Sequence, residues 1–452
     1  MPRTHGDQQN QGVWRIDSGE AERQQARVAG GLKAAGLEPG DRLCFVLGAS
    51  PHLLHAVIGA LRVGVVPVVL NPALLPGERE ALVADAQPTL VVDDDATLAG
   101  LFDAMPVEPA DVPLARPMHY TSGTSGRPKG VWSGVLDEAD ARAMFDDEAG
   151  LWGFGPDDVH LVCSPLHHSA SLRFAASALL RGGSVLLLPR FDAAAVATAL
   201  GDHGVTTAFM VPTHLQRLFA LDPAPSAPTL RLLAHAGEAC RPSLKLQALG
   251  AFPSGSVWEF YGSTEGQFTV CGPDEWEARP GTVGRARPGR RLEADEDGCI
   301  WCHVPPFARF EYWRDPQRTA QAWRGDAFTV GDVGRLDADG YLFLDGRRDD
   351  LVITGGVNVY PAEVEAALAD VAGVQEVAVF GVPDERWGRR VCAAVIGEVA
   401  AADVLAEARA RLAPYKCPKE VHIVHDLPRT SMGKVRRGAI AAALGLADDG
   451  PA

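Results

Sequence analysis

The strongest constraint on the fold is an alternation of short apolar runs with helical patterns along the first three-quarters of the chain. The apolar run 43–47 is followed by a helical pattern and then by the apolar run 65–70. Strands that alternate with helices form parallel sheets whose two faces are both covered. The same rhythm returns at 90–92, 185–188 and 208–211. The sequence therefore predicts an α/β fold, with layered α/β subdomains, for this large N-terminal part.

The pattern changes near residue 340. A short apolar run at 341–344 leads into the polar segment 345–350, which we interpret as an interdomain hinge. About one hundred residues follow, enough for a small domain. Within them we predict a helix after Pro361, strands at 374–379 and 391–396, and a helix at 404–412. We therefore predict a large N-terminal domain at residues 1–346 and a small, mobile α+β C-terminal domain at 347–452.

Composition and charge limit the class of protein. The chain has 452 residues, too many for one ordinary hydrophobic core, and its 46% hydrophobic and 22% charged residues are typical of a soluble globular enzyme. The formal charge of −16 repels nucleic acid and anionic membranes, so an anionic substrate needs a local positive pocket. No apolar stretch is long enough to span a bilayer, and residues 1–10 lack a signal pattern. We expect a cytoplasmic protein without membrane insertion and without a nucleic-acid partner.

The eight cysteines are scattered, which is typical of reduced thiols. The segment 299–303, Cys-Ile-Trp-Cys-His, matches both a haem c attachment pattern and a thioredoxin-like pair. However, it follows a turn signal at 295–298 and contains residues that favour strands. We therefore predict a short strand here rather than a haem, metal or redox site.

The segment 120–131 combines hydroxyls, glycines and one lysine. Glycines let phosphate oxygens approach the backbone, while hydroxyls and backbone N–H groups bind them. The spacing does not match a Walker loop, and flexible linkers seldom contain Pro-Lys-Gly between apolar flanks. The sequence thus predicts a polyphosphate-binding loop, with these candidate residues: Thr121, Ser122, Gly123, Thr124, Ser125, Gly126 and Lys129.

Further motifs follow in a fixed order, at 261–265, 329–332, 346–356 and 428–434. Together with the loop at 120–131, they resemble the motifs of the adenylate-forming (ANL) superfamily, which holds acyl-CoA synthetases, luciferases and the adenylation domains of peptide synthetases. The resemblance implies an AMP-forming acid–thiol ligase that uses ATP and Mg²⁺. Such an enzyme converts a small-molecule carboxylic acid to an acyl-adenylate, releases pyrophosphate and transfers the acyl group to coenzyme A.

The resemblance also implies roles for individual residues. Glu265 is the implied Mg²⁺ ligand, next to Thr264 in the catalytic motif, and Asp332 and Arg347 are the implied ribose contacts. The residues implied to surround the adenine are Tyr261, Gly237, Glu238 and Ala239, and Gly262 is a further implied cofactor-binding residue. By residue type alone, the segment around Glu265 also fits a helix N-terminus capped by Ser263 or Thr264. Likewise, Asp332 and Arg347 also fit a surface pair beside a turn.

Two implied roles belong to the small domain. Lys434 reaches the carboxylate and the α-phosphate during adenylation, while a rotation about Asp349 later replaces it with the loop at Gly355 and Gly356. The glycines of that loop let a pantetheine arm approach closely. In isolation, Lys434 also fits a solvated lysine, and Asp349 an ordinary exposed aspartate.

The segment 164–170 resembles the wall of the family's acyl pocket, and it is closer to acyl-CoA synthetases than to amino-acid adenylation domains. His168 occupies a position linked to gating of that pocket, although a packing role is equally compatible. Arg173 suggests a dicarboxylate substrate, but we expect a surface contact instead.

The identity of the acyl acceptor also stays open. A carrier-protein thiol is compatible with the same motifs, and so is another acid or nucleophile, as in the family's diazotases. Because the loop begins as early as residue 120, we predict a trimmed N-terminal subdomain.

Overall fold

The computed structural model describes residues 12–121, 129–355, 357–384, 386–429 and 435–446. The chain divides into two compact units. Unit 1 consists of Met1–Cys240, Leu244–Arg291 and Cys302–Phe328, and unit 2 of Arg241–Ser243, Leu292–Trp301 and Thr329–Ala452. The predicted domain boundary between residues 346 and 347 concerns domain motion, and it stays a prediction.

The strands, in chain order, are β1 (Trp14–Asp17), β2 (Arg42–Phe45), β3 (Val66–Val69), β4 (Leu90–Val92), β5 (His119–Thr121), β6 (Lys129–Trp132), β7 (Val159–Val162), β8 (Ser184–Leu187), β9 (Thr207–Met210), β10 (Leu232–His235), β11 (Val257–Glu259), β12 (Thr269–Val270), β13 (Arg285–Ala286), β14 (Arg291–Ala294), β15 (Ile300–His303), β16 (Glu311–Tyr312), β17 (Trp323–Arg324), β18 (Ala327–Phe328), β19 (Asp332–Leu336), β20 (Leu342–Arg347), β21 (Val352–Thr354), β22 (Val357–Val359), β23 (Val374–Asp384), β24 (Gly388–Gly397) and β25 (Glu420–Ile423).

The α-helices are α1 (Ser18–Ala34), α2 (Pro51–Arg62), α3 (Pro76–Ala86), α4 (Asp95–Gly100), α5 (Glu138–Leu151), α6 (Ser169–Leu180), α7 (Ala193–Asp202), α8 (Pro212–Phe219), α9 (Pro242–Ala251), α10 (Pro273–Ala278), α11 (Pro316–Ala322), α12 (Pro361–Leu368), α13 (Ala401–Arg411) and α14 (Arg437–Ala443). Short 3-10 turns lie at Pro306–Ala308 and Arg348–Asp350.

The main sheet of unit 1 has the strand order β1-β8-β7-β9-β10-β11. Its last five strands are parallel, and a second parallel sheet has the order β3-β2-β4. The apolar runs identified in the sequence are β2, β3, β4, β8 and β9, so the predicted α/β class is confirmed. Strand β1 was not predicted. It pairs antiparallel with β8 at the sheet edge and is mostly exposed, so it lacks the continuous apolar run of a buried strand.

Local sequence signals explain where the helices begin. The side chain of Ser50 accepts a hydrogen bond from the Leu53 N–H, and Pro51 occupies the first turn of α2. All four residues of the neighbouring strand β3 are buried. Helix α2 and strand β3 therefore join one continuous apolar core in unit 1.

Unit 2 contains a small α+β core. Strands β23 and β24 form a long antiparallel hairpin, and β25 pairs parallel with β24. Apolar residues of α12 and α13 pack against this sheet. The strands predicted at 374–379 and 391–396 and the two predicted helices are confirmed, and both strands extend towards their shared turn.

The cysteine-containing segment is a strand, as predicted. In the antiparallel pairing of β15 with β18, Cys302 lies opposite Phe328. Burial raises the pKa of the Cys302 thiol to about 12, so that it stays protonated at neutral pH. None of the eight cysteines, all of which lie in the described ranges, forms a disulfide bond. Across the described ranges, every helix is too short or too polar to cross a bilayer.

Candidate active site

Three predicted motifs and the start of helix α8 lie at one edge of the main sheet. The histidine segment follows β7, the start of α8 follows β9, residues 236–239 follow β10, and the motif 261–265 follows β11. These four strands are parallel neighbours in the order β7-β9-β10-β11. The carboxyl ends of parallel strands share an edge, which is where open α/β sheets bind ligands. Segments far apart in sequence therefore converge on one site in unit 1.

The predicted phosphate loop is bounded by a pair of antiparallel strands. Thr121 at the end of β5 pairs directly with Lys129 at the start of β6. The hydroxyl oxygen of Thr121 is buried and has no hydrogen-bond partner among the described residues. The predicted phosphate ligands Ser122, Gly123, Thr124, Ser125 and Gly126 lie outside those residues. Both ends of the loop are thus fixed at adjacent positions, with a polar atom available for a ligand.

Glu265 lies in a buried polar cluster with Lys129 and Tyr312. Its Oε1 accepts a hydrogen bond from the Tyr312 hydroxyl at 2.8 Å and lies 3.0 Å from Lys129 Nζ. Lys129 also donates to the Tyr312 hydroxyl oxygen at 3.0 Å. Burial alone would raise the pKa of Glu265, but Lys129 and the hydrogen bonds around the carboxylate lower it below the usual value. Glu265 is therefore ionised at neutral pH, as a metal ligand must be.

The helix-cap alternative for this segment is wrong. Residues 263–266 form a tight turn in which the Ser263 N–H donates to the Gly266 carbonyl oxygen at 2.8 Å, and the next helix begins only at Pro273. The turn requires Gly262, because a Cβ there would lie 2.8 Å from the Gly266 carbonyl oxygen. Thr264 lies within this turn, beside Glu265. The turn aims Glu265 into the protein instead of placing it at a helix surface.

The predicted adenine-side loop follows β10. Gly237 has a φ of +97°, a backbone conformation that favours glycine. The carboxylate of Glu238 accepts a hydrogen bond from the Thr213 N–H in the first turn of α8 at 2.6 Å. Glu238 and Ala239 are exposed, and Tyr261 packs its ring 4.9 Å from that of Phe268. The Glu238 side chain thus holds the loop against α8.

His168 immediately precedes α6, and its ring lies 4.5 Å from that of His167. Burial is the main reason why the pKa of His167 is lowered to about 3. His167 is therefore neutral at physiological pH. Both histidines lie at the end of the sheet where the other motifs converge.

The candidate ribose ligands belong to unit 2. Asp332 and Arg347 pair across the hairpin formed by β19 and β20, with Arg347 Nε 3.0 Å from Asp332 Oδ1. Asp332 is buried, whereas half of the Arg347 side chain is exposed. The simple surface pair that the residue types also allowed is therefore wrong for Asp332.

Gly355 in unit 2 closes the hairpin of β21 and β22 with a φ of +56°. A Cβ there would lie 2.9 Å from the Trp387 ring. Gly356 and Lys434 lie outside the described residues, so their roles stay predictions.

Two further features of unit 1 escaped the sequence analysis. Tyr312 joins Glu265 to Lys129, although it comes from a distant strand without a motif. A cavity beside Glu265 is lined by four arginines, Arg116, Arg173, Arg287 and Arg290, which we call the arginine cavity. Arg173 was expected at the surface, but only 14% of its side chain is exposed. No spacing signal links these residues, because they come from separate segments.

Taken together, the fold and the site define a nucleotide-binding enzyme of the α/β class. The model of the AMP-binding enzyme family matches residues 14–113 and 116–299, and the model of the AMP-binding enzyme C-terminal domain matches residues 363–434. The chain therefore belongs to the AMP-binding enzyme family, and the predicted resemblance to adenylate-forming enzymes is confirmed.

Similar proteins cover nearly the whole chain. A feruloyl-CoA synthase from Amycolatopsis is 33% identical, with 94% of this chain and 93% of the relative aligned. The crystal structure of ATP-bound MatB from Rhodopseudomonas palustris has a TM-score of 0.82 at 30% identity, covering 94% of this chain and 93% of that one. An o-succinylbenzoate coenzyme A synthetase from Bacillus subtilis, in complex with ATP and a magnesium ion, has a TM-score of 0.82 at 25% identity, covering 93% and 94%.

Proposed function

We propose that this chain activates a carboxylic acid with ATP and transfers the acyl group to the thiol of coenzyme A. In the first step, a carboxylate oxygen bonds to the α-phosphorus of ATP, and the bond to the bridging oxygen breaks to release pyrophosphate. In the second step, the thiolate bonds to the acyl carbon, and AMP leaves with the bonding electrons. The observation that carries the proposal is the convergence of four loops at the carboxyl edge of the sheet, three of which carry a predicted motif and one of which holds the ionised Glu265.

We assign Mg²⁺ to Glu265. The carboxylate is ionised and offers hard oxygen atoms, which fits this metal. Lys129 and Tyr312 both contact Oε1, so we assign the metal to Oε2. The bound metal would neutralise charge on the ATP phosphates. Lys129 and Tyr312 hold the carboxylate in one orientation before any ligand binds.

The other assignments follow the same chemistry. The phosphate loop, beginning at Thr121 and ending at Lys129, surrounds the polyphosphate with hydroxyls and N–H groups. The backbone of residues 237–239 and the ring of Tyr261 pack against the adenine. Asp332 accepts hydrogen bonds from the ribose hydroxyls, and Arg347 orients the Asp332 carboxylate. His168 forms part of the pocket for the carboxylic acid. In unit 2, Gly355 and Gly356 admit the pantetheine arm of coenzyme A, and Lys434 binds the reacting carboxylate and α-phosphate.

The proposed function is tested by measuring acid-dependent release of pyrophosphate from ATP and Mg²⁺. Short, medium, long-chain and aryl carboxylates are compared with and without coenzyme A. We expect a limited release with the cognate acid alone and multiple turnovers once coenzyme A is added. Pyrophosphate release that does not depend on coenzyme A would instead favour a carrier-protein thiol or another nucleophile as the acyl acceptor. Adenylation would be refuted if pyrophosphate were not released with any of the acids.

Lys434→Ala is expected to slow pyrophosphate release by roughly a hundredfold, because a preorganised charge at the α-phosphate is lost. Transfer from a synthetic acyl-adenylate to coenzyme A should change far less, since that step does not use this lysine. Single-turnover assays of each half-reaction measure the two effects separately. Equal losses in both half-reactions would contradict the assignment.

Asp332→Ala is expected to raise the KM for ATP by roughly tenfold to a hundredfold, because hydrogen bonds from the ribose to a charged group are lost. The matched control is Asp339→Ala, an exposed aspartate in the turn of the same hairpin. Initial rates at varied ATP concentration distinguish the variants. An unchanged KM for ATP in Asp332→Ala would refute the ribose assignment.

A further inference from the structure

Strands β24 and β25 of unit 2 carry three side chains whose donor atoms lie close together. Cys392 on β24 lies opposite Glu420 on β25, and His422 lies two residues further along β25. Alternate residues of a strand point to the same face, so the three side chains share one face of the sheet. A sulfur, a carboxylate oxygen and an imidazole nitrogen lie within 4.8 Å of one another there. Within the described residues, this is the one such group of His, Cys, Asp and Glu side chains.

The cluster lies on a rigid part of the fold. Cys392 is fully buried and belongs to the same apolar cluster as Ile440 of α14. Glu420 and His422 are partly buried. Strand β24 is paired on both sides, with β23 and with β25, so the backbone beneath the cluster is fixed. Side chains on such paired strands need little reorganisation to bind a ligand.

The imidazole of His422 has an unused atom that faces this cluster. Its Nε2 is buried and makes no hydrogen bond with the described residues, although Glu420 Oε2 lies 3.4 Å away. When Nε2 carries no proton, both atoms are acceptors and neither satisfies the other. Two ligand atoms bound tetrahedrally to one zinc ion, each at about 2.0–2.1 Å, lie about 3.4 Å apart. The observed separation therefore suits a metal ion between them.

Arg390 is the positive group beside the cluster. Its Nε lies 3.2 Å from Glu420 Oε1, the other oxygen of the carboxylate. Arg390 Nη1 also lies 3.6 Å from Asp384 Oδ2 and donates to the Pro383 carbonyl oxygen at 3.2 Å. Arg390 thus keeps its partners when a metal takes Oε2. A Cys392 thiolate, Glu420 and Asp384 carry three negative charges, which Arg390 and a divalent ion balance.

The donor set selects the metal. A thiolate disfavours Mg²⁺ and Ca²⁺, which prefer oxygen ligands, whereas sulfur, nitrogen and oxygen together suit Zn²⁺. Burial and the Glu420 carboxylate raise the pKa of the Cys392 thiol to about 11, and Arg390 opposes this effect. Zinc therefore has to displace the thiol proton, as it does when it binds cysteine in proteins.

We propose that Cys392, Glu420 and His422 form a zinc-binding site in unit 2, distinct from the Mg²⁺ assigned to Glu265. The ligands are the Cys392 thiolate, Glu420 Oε2 and His422 Nε2, and a water molecule completes the tetrahedron. The Zn–S bond replaces the S–H bond, and the proton passes to the solvent. The ion joins β25 to β24 at the strand that precedes the motif 428–434.

The test uses Co²⁺ as a probe, because cobalt bound to a thiolate absorbs strongly in the near ultraviolet. The reduced full-length protein is titrated with Co²⁺ in excess Mg²⁺, which occupies the oxygen site at Glu265. We expect a band that saturates at one equivalent and disappears when Zn²⁺ is added. Cys392→Ser should abolish the band, and His422→Gln should weaken cobalt binding by at least about tenfold. His425→Gln is the matched control, since His425 is exposed just beyond β25, and should bind cobalt like the wild type.

Three results would overturn the inference: no thiolate–cobalt band at millimolar Co²⁺, a band that Zn²⁺ does not displace, or a band that persists in Cys392→Ser. An unchanged cobalt affinity in His422→Gln would overturn it as well. Should Cys392→Ser fail to fold, as judged by circular dichroism, the wild-type titration decides together with His422→Gln and Glu420→Gln. The assay contains neither ATP nor an acid, so its outcome does not depend on the proposed function.

Discussion

Glu265→Gln is expected to lower the rate of acid-dependent pyrophosphate release by roughly a thousandfold. The amide is neutral and a poor Mg²⁺ ligand. If its oxygen keeps the contacts that Lys129 and Tyr312 now make with Oε1, its NH₂ group takes the Oε2 position, where it can only donate hydrogen bonds. The variant should also require more Mg²⁺ for half-maximal activity. Initial rates measured over a range of Mg²⁺ concentrations at saturating ATP test both expectations.

Two control variants make this result specific. Glu277→Gln removes an exposed carboxylate from the neighbouring helix α10 and should leave the rate unchanged. Tyr312→Phe removes the hydroxyl that donates to Glu265 and accepts from Lys129, but it leaves the Glu265 carboxylate in place and should cost about tenfold or less. If Glu265→Gln stayed within tenfold of the wild type with the same Mg²⁺ dependence, Glu265 would not be the metal ligand.

Lys245→Met should destabilise unit 1 by about 3–5 kcal/mol, because it breaks a buried ion pair and leaves one charge uncompensated. Lys245 is fully buried, and its Nζ lies 3.4 Å from Glu259 Oε2 and 2.6 Å from His235 Nε2, to which it donates. Burial raises the pKa of Glu259, and Lys245 opposes this effect. Urea denaturation followed by tryptophan fluorescence measures the free energy of unfolding.

The double variant Lys245→Met/Glu259→Gln should recover much of this loss, since the buried carboxylate is then neutral as well. Lys33→Met, at an exposed position in α1, is the matched control and should change the free energy of unfolding little. A loss below about 1 kcal/mol in Lys245→Met would show that the ion pair adds little to stability. His235 and Glu259 end the strands β10 and β11, so unfolding here would also disturb the loops that follow them.

The order of elements could be predicted from the sequence because it depends on local patterns. Buried parallel strands need continuous apolar runs, and such runs identified β2, β3, β4, β8 and β9 to within a few residues. The small domain was recognisable for the same reason, from β23, β24 and the helices α12 and α13. The catalytic motifs could be found because the family's chemistry fixes residue types at fixed spacings.

Features that depend on long-range contacts escaped the sequence. The edge strand β1 is stabilised by pairing with β8, more than 160 residues away, so that it needs no apolar run of its own. The segment around Glu265 fitted a helix cap by residue type, but the tertiary structure folds it into a tight turn whose charge is balanced by Lys129. Arg173 was expected at the surface for a similar reason, since its own neighbours do not reveal that the segments containing Arg116, Arg287 and Arg290 surround it.

The sequence by itself determined the α/β class, the small C-terminal α+β part, the family and the identity of the residues that bind phosphate, metal and ribose in our proposal. These properties follow from short-range periodicity and from motifs whose spacing is set by chemistry. The tertiary structure alone decided that four loops meet at one sheet edge, that Tyr312 joins Glu265 to Lys129, and that four arginines share one cavity with two carboxylates. Charge excess and burial are properties of side chains gathered from distant segments, and no local pattern records them.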